Sequence, residues 1–260
     1  MFIWIVLMAA SLIGILWCAK VQKQNRNAQT YAICCLVGVL IAAFGILNHY
    51  GMFGGTSSEI KRIIQNEKKY SEAKAYVMAR YLAEKFPNAS AVILTDSYTE
   101  QSEAMRNAVE VFKNNLGSIN VISTETIVIP EPDPENPMPM EEMVTSKHFN
   151  EIFDKSKGAN LIINFASFPP NPEEIMNFSI WRMPNGPKLV LYNGEIGLLK
   201  NTIKQGFVVA ATSLNGNAID PQKKAPSDNQ EAFDSRFVLI TPENVDQVAE
   251  QNKNIFIPPM

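Results

Sequence analysis

Two long apolar runs open the chain, and shorter apolar stretches separated by amphipathic ones fill the rest. Phe2 to Ala19 (FIWIVLMAASLIGILWCA) carries no charge, and Tyr31 to Tyr50 (YAICCLVGVLIAAFGILNHY) is polar only at its end. A helix rises about 1.5 Å per residue, so runs of this length reach across a hydrocarbon core of about 30 Å. Trp4, Trp17, Tyr31 and Tyr50 fall near the run ends, where amphipathic rings favour the membrane interface. The pattern predicts residues 2–19 and 31–50 as two membrane-spanning helices in contact with a lipid bilayer. A buried core hairpin is the competing reading, and the spanning length of both runs weighs against it. A cleavable signal peptide wants a basic start, and no Lys or Arg precedes the first run.

After the second run the period changes. Gly51-Met52-Phe53-Gly54-Gly55 forms an exit, and Ser57 or Ser58 can cap a helix that runs to Phe86 and stops at Pro87. Ile60, Ile63, Ile64, Tyr70, Ala73, Val77 and Tyr81 recur at mostly helical spacing. Such a helix is about 40 Å long, enough for part of it to act as a stalk. From Ala89 onward strands and helices alternate. Ala91–Thr95, Ile119–Ile129, Asn160–Phe165, Leu189–Tyr192, Phe207–Ala211 and Phe237–Ile240 read as strands. Met105, Ala108, Val109, Phe112 and Leu116 share one helical face before Gly117; Phe149, Ile152 and Phe153 mark another helix, and Ile196, Leu199 and Ile203 a third. Thr241-Pro242 predicts the cap and first turn of a last helix. Strands separated by helices require right-handed crossovers, hence an α/β fold with a mostly parallel, doubly wound, Rossmann-like sheet. The expected organisation is a transmembrane hairpin over 1–50, a linker and long helix over 51–88, and one α/β domain over 89–260.

Charge divides the chain in the same place. Lys20, Lys23 and Arg26 are the only ionised residues before residue 51, so removing them from a net charge of −3 leaves −6 on residues 51–260. An acidic domain lacks the basic footprint that phosphate contacts need, which excludes nucleic acid as the expected partner. The three cations lie between the two apolar runs, and the positive-inside rule puts them in the cytoplasm and the domain outside it. All three cysteines, Cys18, Cys34 and Cys35, fall in the apolar runs, so the domain has no disulfide framework or thiolate site. His49 and His148 are the only histidines, too few for a His-based metal site, so no metal and no cofactor are expected.

Loop lengths point to a working edge. Entries to the strands are short, whereas exits are mostly long: Pro130–Met140 (PEPDPENPMPM), Ala166–Glu174 (ASFPPNPEE) and the polar stretch Thr212–Phe233. In a parallel sheet all exits share one edge, where ligands bind. Candidate contacts there are Asp96, Ser97, Tyr98 and Thr99 after the first strand, Ser167 after the third, Asn193 and Glu195 after the fourth, and Thr212 and Ser213 after the fifth. Each has a plainer structural reading. Ser97 with Glu100 fits a capping box, Thr99 can cap the next helix, Asn193-Gly194 is a common turn, and Glu195 suits a first helical turn. The proline run reads as polyproline-like chain, either spacer or docking strip.

Several chemistries are missing. No Walker A loop, G-x-G-x-x-G or G-x-S-x-G occurs, and a single histidine in the domain makes a Ser-His-Asp hydrolase improbable. Asp96 with Glu195 is a weak carboxylate pair for acid–base work. The stretch Ala91 to Gly117, AVILTDSYTEQSEAMRNAVEVFKNNLG, resembles the opening βα unit of a lobe of type 1 periplasmic binding proteins, a similarity that extends over residues 90–166. Those proteins have two lobes and this domain has room for one. The resemblance implies binding or sensing rather than catalysis. The expected function is thus a membrane-anchored extracytoplasmic domain that contacts a small molecule or an envelope protein at the strand-exit edge. The alternatives are an assembly subunit of a cell-envelope complex and an enzyme using Asp96 and Glu195.

Overall fold

In the computed structural model the described residues are 2–21, 28–49, 58–128, 143–193, 196–216, 223–252 and 254–256. The Pro130–Met140 run, Glu195 and the middle of the 212–233 stretch lie outside them. The chain forms two compact units, Met1–Ile64 and Gln65–Met260, with the division inside one helix, α3 (Ser58–Lys85).

In the first unit α1 (Phe2–Val21) packs against α2 (Ala28–His49). Ile3–Val21 and Ala28–Asn48 have mean hydropathies of 2.0 and 2.4, and only 6% of each is buried. By length and composition both are able to cross a membrane. Side chains that a soluble core would cover stand bare: Ile3 and Leu16 are each 72% exposed and Leu40 62%. The seam between the helices is built on small residues. A side chain at Gly14 would meet Cys35, one at Gly38 would meet Ser11, and one at Gly45 would meet the Trp4 ring, all at under 3 Å. Close backbone approach through glycine is how helices pair where no hydrophobic effect acts between them.

The second unit is a six-stranded sheet in the order β2-β1-β3-β4-β5-β6. The strands are β1 (Ser90–Asp96), β2 (Asn120–Ile127), β3 (Leu161–Asn164), β4 (Lys188–Leu191), β5 (Val208–Leu214) and β6 (Phe237–Ile240). The first five run parallel, in register from Ala91 opposite Leu161 to Asn164 opposite Leu191. Their alternation sorts the core into two layers. Ala91, Ile93, Leu161, Ile163 and Val190 face α3 and α5 (Glu103–Asn114), which contribute Met78, Leu82 and Phe112. Val92, Leu94, Ile162, Leu189 and Leu191 face the other side. There Phe149 and Phe153 of α6 (Ser146–Lys155), Ile175 of α7 (Pro172–Met176), Ile203 of α8 (Lys200–Lys204) and Val248 of α10 (Val245–Gln251) complete the layer.

Three local features depart from the sequence expectation. Asp96, rather than Ser97 or Thr99, caps α4 (Ser97–Gln101), because its still-extended backbone leaves the carboxylate free to accept from the Thr99 N–H. The last helix starts at Val245, not after Thr241-Pro242: the Asn244 side chain accepts from the Thr241 N–H and donates to the Leu239 carbonyl, closing a turn first. Finally, β6 runs antiparallel to β5, with Ala211 opposite Ile240 and Leu214 opposite Phe237. Helix α9 (Asn229–Arg236) passes directly into β6 while the Asn215 N–H donates to the Arg236 carbonyl, so the chain re-enters the sheet from the edge it has just left. The polar stretch 212–233 therefore includes the end of β5 and the start of α9 rather than loop alone.

Candidate functional site

The strand order reverses direction between β1 and β3, the place where open parallel sheets usually offer a ligand crevice. Here that crevice is tied shut. The Asp96 carboxylate, 3% exposed, accepts from the Thr99 N–H and hydroxyl, both at 2.7 Å, and from the Ser167 N–H at 2.9 Å across the gap. Thr99 is itself buried, and its hydroxyl lies 3.3 Å from the Phe165 carbonyl. The structure thus brings Asp96, Thr99 and Ser167 together as a structural knot. Ser97 is half-buried and Tyr98 exposed, and neither joins it by a hydrogen bond among the described residues.

An open cleft lies two strands further along the same edge. It has a volume of about 290 Å³ and is lined by Lys74, Tyr192, Asn193, Thr212, Ser213, Leu214 and Phe237. Its walls are set by the core beneath. Tyr192, 1% exposed, stacks on Phe165 with ring centroids 4.5 Å apart, and its hydroxyl donates to the Ser71 carbonyl at 2.9 Å. Asn193 is fixed by its side-chain amide donating to the Phe165 carbonyl at 3.1 Å. The Thr212 hydroxyl donates to the Tyr192 carbonyl at 3.3 Å, joining the exits of β4 and β5.

Into this cleft α3 delivers an ammonium. Lys74 Nζ donates to Asn193 Oδ1 at 3.3 Å and sits 3.9 Å above the Tyr192 ring, a cation–π contact. No carboxylate lies within ion-pair distance of it among the described residues. Burial lowers the Lys74 pKa to about 8, and the Arg236 guanidinium nearby adds to the effect. Arg236 has its own acid: its Nη1 donates to Glu67 at 2.7 Å while its guanidinium lies over Tyr70. Burial raises the Tyr192 phenol above its ordinary value, so the ring beneath Lys74 stays neutral.

Asn164, at the end of β3, borders this region from below. It is fully buried; its amide donates to the Ala166 carbonyl at 2.8 Å and lies 3.4 Å from that of Asn193, while its Oδ1 has no hydrogen-bond partner among the described residues. Of the sequence candidates, then, Asn193, Thr212 and Ser213 converge on one cleft, and Glu195 lies outside the described residues. Lys74 was missed. Its signal was a cation between Ala73 and Ala75, four residues from Tyr70, close to the apolar stripe of a long helix.

A larger groove, about 940 Å³, follows α3 and β6 and is lined by residues including Arg80, Tyr81, Asn215, Asp234, Leu239 and Asn252. Some of its polar groups have partners within it or beside it. Asn215 donates to the Asp234 carbonyl and Gln230 to the Asp234 carboxylate, both at 2.9 Å, and Tyr81 donates to Glu243 at 3.5 Å. Burial and the Glu243 charge push the Tyr81 phenol up to about 12. The cation of this groove, Arg80, is exposed, whereas Lys74 in the smaller cleft is half-buried. Among the described residues no three metal-ligating side chains gather.

Similar folds occur among solute-binding proteins. An ABC transporter solute-binding protein from Bradyrhizobium sp. BTAi1, with bound bis-tris, is 12% identical, with 70% of this chain and 54% of that one covered and a TM-score of 0.45. The arabinose-binding protein AraP from Geobacillus stearothermophilus is 11% identical over 68% of this chain and 63% of its own, with a TM-score of 0.43. A Caulobacter myo-inositol binding protein, bound to myo-inositol, is 13% identical over 70% and 62%, with a TM-score of 0.42. The chain thus spans 54–63% of the length of these three. The sheet order and register, rather than these overlaps, define the fold. No protein-family profile and no curated protein matches the chain.

Proposed function

We propose that the chain is a membrane-anchored ligand-binding protein whose α/β unit contacts a small molecule at the exit edge of its parallel sheet. In this reading helices α1 and α2 are the anchor, and the positive-inside rule applied to the cations at 20, 23 and 26 supports an extracytoplasmic α/β unit. The ligand lies against Asn193, Thr212 and Ser213, with Lys74 as the charged contact. Asp96, Thr99 and Ser167 hold the neighbouring exits in place, and Ser97 and Tyr98 border them. One observation carries this reading: a half-buried ammonium, without a carboxylate among the described residues, lines a small cleft at the edge where such folds bind ligands. The larger groove beside β6 supports a second reading, an assembly subunit held by protein contacts.

The test is a thermal-shift screen of the full-length protein in lipid nanodiscs against a panel of small metabolites. Binding to the native state raises the melting temperature. The reading expects at least one compound that stabilises the wild type and loses its effect in Asn193→Ala. Silence across the panel, together with a stably co-purifying protein partner, favours the assembly reading instead.

A further inference from the structure

We propose that the cleft takes the oxyanion of a small organic acid or phosphate ester, held by the Lys74 ammonium against the Tyr192 ring. The inference rests on the ligand-binding reading above and names the chemical class of the ligand.

An ammonium has three donor hydrogens and no acceptor. Lys74 spends one on Asn193 Oδ1, and the Tyr192 face beneath it offers only a quadrupole. Asn193 supplies a neutral oxygen where an ion pair would need a carboxylate. Ser213 lines the same cleft, but its side chain, opposite Val238 in the β5–β6 pair, faces the other layer of the sheet, so the ammonium is the charged donor the cleft offers. The second cation at hand, Arg236, is matched by Glu67, so Lys74 is the local excess of positive charge. Burying an ion without its counter-ion costs several kcal/mol after relaxation. A cleft that keeps such a charge half-covered is arranged for an anion that arrives from solution.

The remaining walls set the rest of the ligand. Leu214, Phe237 and the Tyr192 ring are apolar, and a volume of about 290 Å³ admits a small body beside the oxyanion. A neutral polar ligand finds few free donors here. One N–H of the Asn193 amide is committed to the Phe165 carbonyl, and the Thr212 hydroxyl to that of Tyr192.

The ammonium must also be charged to hold an anion. The titratable and charged groups facing Lys74 are the Tyr192 phenol from the β4 exit, which burial keeps neutral, and Arg236 from α9, paired with Glu67 of α3. With Lys74 held near 8, anion binding is full below that pH and fades as pH rises through it.

The test uses the full-length protein in nanodiscs at low ionic strength, where exposed-charge screening is least. Probes are butyrate, inorganic phosphate and the neutral isostere butyramide, read by melting temperature and by calorimetric titration. Butyrate or phosphate should raise the melting temperature where butyramide does not. Lys74→Gln should weaken the anion by about tenfold or more, the loss of one charge-assisted hydrogen bond, and Lys74→Arg should restore part of it. A response to phosphate alone assigns a phosphate ester, and one to butyrate alone a carboxylic acid. Equal responses to butyrate and butyramide, an anion response unchanged in Lys74→Gln, or silence from both anions would overturn the proposal. The broader ligand-binding reading fails separately, on silence of the metabolite panel.

Discussion

Asp96 and Lys74 both end at the exit edge of the sheet and use their charge in opposite ways. The Asp96 carboxylate is saturated by three donors from two segments, so its charge is fully spent on structure. Removing it leaves the Thr99 and Ser167 N–H groups without their acceptor. Asp96→Ala should therefore destabilise the protein by roughly 2–4 kcal/mol, read as a lower midpoint in denaturant melts of the α/β unit within the whole chain. Lys74 is the reverse case, since no acid among the described residues offsets its burial. Its folded-state pKa of about 8 lies below the ordinary 10.5, so between these values the unfolded chain binds more protons and stability rises with pH. The charging cost is present in full below pH 8. Lys74→Met should accordingly stabilise the ligand-free protein at pH 7, on the order of 1 kcal/mol, with the gain shrinking as pH rises through 8 toward 10.5. A loss of stability at pH 7 would mean that Lys74 supports the fold rather than the ligand. The knot was legible in sequence only as a set of polar residues after a strand. Nothing along the chain says that Asp96 would face inward to Ser167, because a contact across seventy-one residues depends on how β1 and β3 pair.

At the level of elements the hydrophobic pattern was a close guide. The apolar runs at 91–95 and 160–165 became β1 and β3 because a strand covered on both faces has no polar side to show. Periodicity says nothing about direction, so the reversal of β6 was not visible. It follows from α9 ending directly at Phe237, within a stretch whose polarity reads as loop. The Asn244 turn was hidden for a similar reason: Thr241-Pro242 has the composition of a cap, and a side-chain contact back to Leu239 decided otherwise. The cap of α5 is Asn115, and Gly117, expected to stop the helix, lies beyond it in the turn closed by the Ile119 N–H donating to the Leu116 carbonyl, with φ +59, a left-handed backbone that side chains resist. Gly117→Ala should cost about 1 kcal/mol in the same denaturant melts, whereas a neutral change would contradict the strain. In the first unit Gly45 meets the Trp4 ring where a Cβ would lie 2.5 Å away. Gly45→Leu should force α1 and α2 apart, read as faster protease digestion of the hairpin in nanodiscs. Digestion at the wild-type rate would argue that the seam tolerates bulk.

For the whole molecule, composition and compactness each divide the chain, at different residues. Charge and hydropathy change after residue 50, and the two compact units meet within α3. The exposed apolar surface of α1 and α2 is the physical reason for assigning a bilayer. A reporter fused after Met260 that is active only in the cytoplasm should stay silent, and its activity would reverse the orientation inferred from Lys20, Lys23 and Arg26. The candidate cleft was half legible. Asn193, Thr212 and Ser213 follow from the rule that exits share an edge, while Lys74 arrives from a helix that precedes the sheet in sequence. The central claim, that a small molecule is held at the exits of β4 and β5, is met most directly by hydrogen exchange. The full-length protein in nanodiscs is compared with and without a compound that raises its melting temperature. The account predicts new protection at Tyr192–Asn193, Thr212–Leu214 and the α3 segment around Lys74. Protection confined to the groove beside β6, or to the Asp96 knot, would contradict it.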